Sequence, residues 1–307
     1  MISFIFVVVV IGCMHSMDPR FRKIQKILLY VLFLNLAVSF AKIAYGMFTN
    51  VLSMQSDGYH SLFDGVSNVI GLVGIQLASK PPDKDHPYGH GKFETIASIF
   101  IAVLLGLVAF DIVHSAFDRI GNGSLPEVTL FSFIVMLGTM GINLGVTSYE
   151  QRMGKVLNSE VLIADAAHTK SDIYVSLSVI LGLAMIKAGY PMIDPLISVV
   201  VAILILRAGV QIIFNSVAVL CDESIIDPDD ICDSIDDIDG VMACHNIRTR
   251  GSQGNIFVDL HIQVNPEMPT RRSHSLAHVV QYRIKERFEG IEEVLVHIEP
   301  LEEQDKL

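Results

Sequence analysis

The chain of 307 residues has no tryptophan, only four cysteines and few charges. Asp, Glu, Lys and Arg make up 18% of it, against about 25% in an average soluble domain. That shortage excludes a water-exposed surface along much of its length. A net charge of −11 with no long Lys/Arg cluster excludes a nucleic-acid-binding surface, so no nucleic acid is expected as a partner. The cysteines, at 13, 221, 232 and 244, contain no CxxC pair. Neither a disulfide framework nor a thiolate zinc knuckle follows from that spacing, and Cys232 and Cys244 read as small buried residues flanking a helix and a strand. Also missing are GxxxxGK[ST], which cradles nucleotide phosphates, and HExxH, which holds a proteolytic zinc.

What fills the chain is apolar: 51% of residues are hydrophobic, gathered in runs. A run of about twenty apolar residues crosses a bilayer as a helix, and six such spans are expected, near 27–49, 51–79, 93–119, 128–148, 160–187 and 193–217. The spans place the lipid bilayer among the partners. Residues 2–13 (ISFIFVVVVIGC) are too short to cross comfortably and lack the charged start of a signal peptide, so residues 1–19 are set aside as an extension. The spans then define a domain over 20–221. Arg20, Arg22, Lys23, Lys26, Lys80, Lys84, Lys92, Arg152 and Lys155 fall on one side of the spans, against Arg119 and Lys187 on the other. The positive-inside bias puts both termini in the cytoplasm, as for a multi-pass protein of a plasma (inner) membrane.

From Asp222 the texture changes to densely charged and acidic, which marks a separate water-soluble domain over 222–307. Asp227-Pro-Asp-Asp230 starts a helix over 228–238. Strands are expected over 241–250, 255–264 and 294–298, the second with Ile256, Val258, Leu260, Ile262 and Val264 on one face, and an amphipathic helix over 273–288. The predicted class is a six-helix polytopic membrane domain followed by an α+β domain of order αββαβ.

Two stretches inside the apolar runs read alike: His60-Ser-Leu-Phe-Asp64 and His168-Thr-Lys-Ser-Asp172. Helix positions four apart share a face, so each HxxxD sets an imidazole beside a carboxylate. One such pair is readily a satisfied contact between helices. Two pairs turned together supply two nitrogens and two oxygens, a donor set suited to zinc or a similar divalent ion. Ionisable groups within a span cost several kcal/mol and mark a substrate path by default. Asp57 and Asp165, three residues before each histidine, read as accessory groups.

Combined with the loop His86-Pro-Tyr-Gly-His-Gly-Lys92, the segment Ala164-Asp-Ala-Ala-His-Thr-Lys-Ser-Asp172 makes the chain resemble the cation diffusion facilitator family from about residue 20 onward. The resemblance implies divalent-metal/proton antiport, zinc being the expected ion because His60 stands where other members carry Asp. It implies a transport site of His60, Asp64, His168 and Asp172, and a loop site of Asp83, His86 and His90. The loop also reads as a turn that positions the third span. A cytoplasmic-domain site at a homodimer interface is implied for His245, His261, His274 and His297, with Glu299 where Asp is common. That domain, metallochaperone-like with a ferredoxin-like fold, would dimerise the chain and sense metal. Lys92 and Asp222 resemble a charge pair of the family.

A bound imidazole must be deprotonated, so metal loading and proton release are linked, and export of Zn2+ against an inward proton gradient follows without covalent chemistry. Co2+, Cd2+, Fe2+ or Mn2+ are alternative cargoes, and a membrane-embedded metal sensor or scaffold is the alternative class. A metallohydrolase is not expected, because four protein ligands leave no open position for water.

Overall fold

The computed structural model describes residues 18–49, 52–122, 130–187, 193–252 and 254–301. Residues 1–17, which hold most of the set-aside extension, lie outside the described residues. Six long helices come first: α1 (Pro19–Thr49), α2 (Leu52–Ala78), α3 (Lys92–Asn122), α4 (Leu130–Val156), α5 (Glu160–Lys187) and α6 (Ile193–Leu220). The chain divides after Ser216 into two units.

Two helices outrun their expected limits by a full two turns, each because of a local cap. α1 starts at Pro19 rather than 27, since Asp18 Oδ1 accepts the Arg20 N–H (2.7 Å) and proline loses nothing at a first helical position. α4 runs to Val156 rather than 148, ending where Asn158 turns left-handed at φ 47°. Ser159 then opens α5, its hydroxyl accepting the Leu162 N–H at 3.4 Å. Pro19–Ala41, Lys92–Asp118 and Pro195–Leu220 are each long and apolar enough to cross a membrane. α2, α4 and α5 fall short of that measure among the described residues. α2 carries Asp64, Ser67 and Asn68, and α5 carries Asp165, Lys170 and Asp172.

The helices pack through a core of Ile24, Leu28, Leu72, Ile75, Ile101 and Leu162, all fully buried. α2 contacts α1, α3 and α5. A second cluster joins Leu105 and Ala109 of α3 to Ala202 and Ile205 of α6. Gly74 lets α2 close on α3, because a Cβ there would collide with that of Ala97.

The second unit has the predicted order: α7 (Pro228–Asp233), β1 (Ala243–Ser252), β2 (Asn255–Val264), α8 (Thr270–Arg287) and β3 (Ile291–Pro300). β1 pairs antiparallel and β3 parallel to β2, which is the central strand. Ile256, Val258, Leu260, Ile262 and Val264 are all buried, as the alternation requires. They meet Leu276, Val280 and Ile284 of α8 and Ile231 and Ile235. α7 is shorter than the expected 228–238, because Ile235 and Ile238 make i→i+3 turn bonds to Cys232 and Ile235 instead.

The cysteines correct the sequence reading. Cys232 and Cys244 are disulfide-bonded to one another, with Cα atoms 5.8 Å apart, and neither is fully buried. The turn after α7 brings β1 back beside the helix, and that return supplies the proximity that a twelve-residue spacing conceals.

Candidate metal centres

The two HxxxD segments lie on α2 and α5, and these helices pack against each other. His168 is buried, while Asp64 and Asp172 are half-buried. His60 lies one helical turn before Asp64 along α2, but its side chain and that of Asp57 lie outside the described residues.

About one turn away, sequence reasoning overlooked a polar chain. Asn35 of α1 donates to Asn68 Oδ1 at 3.0 Å, and Asn68 donates in turn to Asp165 Oδ2. The Glu150 carboxyl of α4 also lies beside Asp165. Asn68, Glu150 and Asp165 are all at most 1% exposed. Asp165 therefore lies where side chains of four helices meet. The available signal was spacing: Asn68 follows Asp64 by four residues and so continues its face.

Where α1 begins, Arg20 gathers three segments. Its guanidinium donates to the Leu157 and Asn158 carbonyls, both at 2.7 Å, and to Glu94 Oε2 at 3.1 Å. Ser159 donates to the other Glu94 oxygen at 2.5 Å. Glu94 is buried, and losing its cation leaves a buried charge short of a partner. Arg20→Ala is expected to destabilise the helical unit by about 2–3 kcal/mol. Thermal unfolding in detergent, against Arg20→Lys, measures the loss; an unchanged midpoint would remove this role.

The loop residues converge. Asp83 Oδ1 accepts the His86 backbone N–H (2.7 Å) and that of Asp85 (3.0 Å), and lies 3.1 Å from His86 Nδ1. Its other oxygen lies 3.5 Å from His90 Nε2. The two imidazole centroids are 4.3 Å apart, and ligand atoms of all three residues fall within 4.8 Å of one another. The backbone bond from His86, the largest cause, holds the Asp83 carboxyl below its ordinary value and so favours its ionised form. The segment is equally a turn: Gly89, at φ 81°, donates its N–H to the His86 carbonyl.

On the sheet, strand register does the assembling. His261 of β2 pairs with His245 on one side and with His297 on the other, and Gln263 pairs with Glu299. Residues two apart on a strand share a face, so Glu299 stands on the face that carries His297. Its carboxylate lies 3.0 Å from His245 Nε2, 2.9 Å from His261 Nδ1 and 3.6 Å from His297 Nε2. The hydrogen bond from His261, ahead of the fields of the other imidazoles, depresses the Glu299 pKa. His274, expected in this set, is not in the cluster around Glu299; it lies on the exposed face of α8 beside His278. The αββαβ order alone does not say which way the α8 face points.

Residues 28–221 match the cation efflux transmembrane domain, and residues 225–301 match the cation efflux protein cytoplasmic domain. The chain is 32% identical, over 91% of its length and 99% of the other's, to an uncharacterised transporter of Methanocaldococcus jannaschii. It is 30% identical to the manganese efflux system protein MneP of Bacillus subtilis, over 91% of this chain and 97% of that one. Metal tolerance protein 2 of Oryza sativa subsp. japonica is 30% identical, over 87% of this chain and 76% of that one. These matches cover both the apolar helices and the sheet that bears the histidines, and the chain belongs to the cation efflux, or cation diffusion facilitator, family of integral membrane transporters of divalent metal ions.

Proposed function

We propose that the protein exports Zn2+ in exchange for protons by alternating access, with His60, Asp64, His168 and Asp172 as the transport site. The observation that carries this reading is the packing of α2 against α5, the two helices that bear the HxxxD segments. Two imidazoles and two carboxylates favour a borderline ion over Mn2+ or Mg2+. Each incoming ion displaces protons from its ligands, so a pH gradient releases it on the acidic side. Transport domain 20–221 and dimerising domain 222–307 belong to a homodimer in the plasma membrane with both termini cytoplasmic, which the Lys/Arg distribution supports. Asp83 with His86 and His90 binds metal on the cytoplasmic side. The cluster around Glu299 binds a regulatory Zn2+.

One observation favours a second cargo: MneP is named for manganese efflux. Purified protein in proteoliposomes with an imposed pH gradient distinguishes the readings. Zn2+ flux that collapses with the gradient and exceeds Mn2+ flux about tenfold is expected from imidazole ligation. Manganese preferred over zinc would overturn the cargo. Binding without flux of any divalent ion would identify a sensor instead of a transporter.

A further inference from the structure

We propose that Asn68 and Asp165 are positioning residues for the cargo: their hydrogen bond fixes the level of α2 against α5 and so sets the two HxxxD segments opposite one another. This deepens the transport reading and rests on it for the identity of the cargo. The helix register itself is tested without any ion.

Two contacts define that register. Asn68 of α2 donates to Asp165 of α5. One turn further along α2, a Cβ at Gly71 would stand 2.9 Å from Val161 Cγ1, and Val161 precedes Asp165 by one turn of α5. Residue numbers rise on one helix as they fall on the other, so the two helices run antiparallel. In the opposite direction, Asp64 lies about 6 Å from Asn68 along α2, and His168 about 4.5 Å from Asp165 along α5. Asp64 therefore comes level with His168. A further four residues on each helix bring His60 of α2 level with Asp172 of α5. A slip of one turn, about 5.4 Å, would set Asp64 against Asp172 or His60 against His168, and would strand the remaining pair out of reach.

Apolar contact such as Gly71 on Val161 brings the helices close but resists sliding weakly, whereas a hydrogen bond is lost steeply as its atoms separate. The Asn68 bond is also fixed in direction. A carboxylate accepts, so Asn68 turns its amide nitrogen to Asp165 and its oxygen to Asn35 of α1, which donates to that oxygen at 3.0 Å. One orientation of the Asn68 amide satisfies both neighbours. Asn68 is 1% exposed and Asp165 fully buried, so breaking the bond leaves a buried carboxylate short of a donor. Metal ligands function when held within about 0.5 Å of their working positions. A polar bond about one turn from Asp64 and His168, anchored on a third helix, supplies that constraint without touching the ion.

Cysteine pairs read the register in the full-length protein in detergent, with oxidation by copper phenanthroline and peptide mass spectrometry to identify the linked positions. Asp64→Cys with His168→Cys is expected to link about tenfold faster than Asp64→Cys with Asp172→Cys, because the second pair is a helical turn out of level. Adding Asn68→Leu, which keeps the bulk and removes the amide, is expected to slow the first linkage about fivefold or more. With the HxxxD residues in place, Asn68→Leu and Asp165→Ala are each expected to raise the Zn2+ concentration for half-maximal flux in proteoliposomes about tenfold or more. Asp165→Asn keeps an oxygen that accepts from Asn68 and is expected to stay within about threefold of the native chain. Asn68→Asp sets two acids face to face and is expected to fail as Asn68→Leu does. Combined with Asp165→Asn it returns donor and acceptor in exchanged places, with position 68 still accepting from Asn35, and both linkage and zinc dependence are expected to recover. Faster linkage of position 64 to 172 than to 168, or a 64-to-168 rate indifferent to Asn68→Leu, overturns the proposal. So does Asp165→Asn failing as fully as Asp165→Ala, which would make the charge of Asp165 and not its hydrogen bond the working part. A native chain that carries no Zn2+ would overturn the cargo reading alone, and the linkage rates would still decide the register.

Discussion

Asp172→Ala is expected to lower zinc flux in proteoliposomes about a hundredfold or more. Four-ligand zinc sites bind with about 10–16 kcal/mol, so each ligand accounts for roughly 3 kcal/mol, a factor of about a hundred in affinity. In a transporter the same loss appears at every concentration below saturation. Asp172 is half-buried in α5, four residues after His168, so its removal leaves the helix and its packing in place. Asp172→Asn keeps the side chain's shape and removes only the charge, and is expected to fall nearly as far. The flux assay is run beside a thermal unfolding scan. Wild-type flux with an unchanged melting profile would show that cargo does not pass through this residue, and the four-ligand site would have to be abandoned.

Removing the Glu299 carboxylate is expected to weaken metal binding by the sheet cluster about a hundredfold, since one carboxylate there faces three imidazoles. Glu299→Asp shortens the side chain by one methylene and is expected to retain most of the affinity, because strand register and not side-chain length brings the four residues together. Zinc titration of a Glu299→Ala and Glu299→Asp pair reads the difference; equal loss in both would mean that geometry dominates over charge. Acidity provides a second, metal-free readout. Glu299 is held below its ordinary 4.5, so the stability it contributes is complete above that value and disappears as pH falls through its lower folded-state pKa. Wild-type protein with chelator should therefore exceed Glu299→Gln in melting temperature near neutrality and converge with it in strong acid. A gap that persists undiminished in strong acid would overturn this assignment.

The two HxxxD segments were legible because their logic is local. A period of 3.6 places residues four apart on one face whatever the helix packs against, and His86 and His90 were legible because both lie within one short loop. The alternation from Ile256 to Val264 was legible for the corresponding reason in a strand. Asp165 was visible as a polar residue in an apolar run, but its partners Asn35, Asn68 and Glu150 come from three other helices. Nothing in their spacing names that meeting. Arg20 read as part of a basic flank, and only the approach of the α4–α5 turn and the start of α3 makes it the cation of buried Glu94.

The amino-acid sequence by itself determined the helical runs, the charged α+β domain, the strand alternation and the recurring imidazole–carboxylate pairs, all of which depend on separations of a few residues. The tertiary structure alone decided that Cys232 bonds Cys244, that Asn68 of α2 reaches Asp165 of α5, and that His274 lies beside His278 on α8. The physical reason is that register and packing bring together groups far apart in the chain, and their relative placement is a property of the whole buried core rather than of any local period.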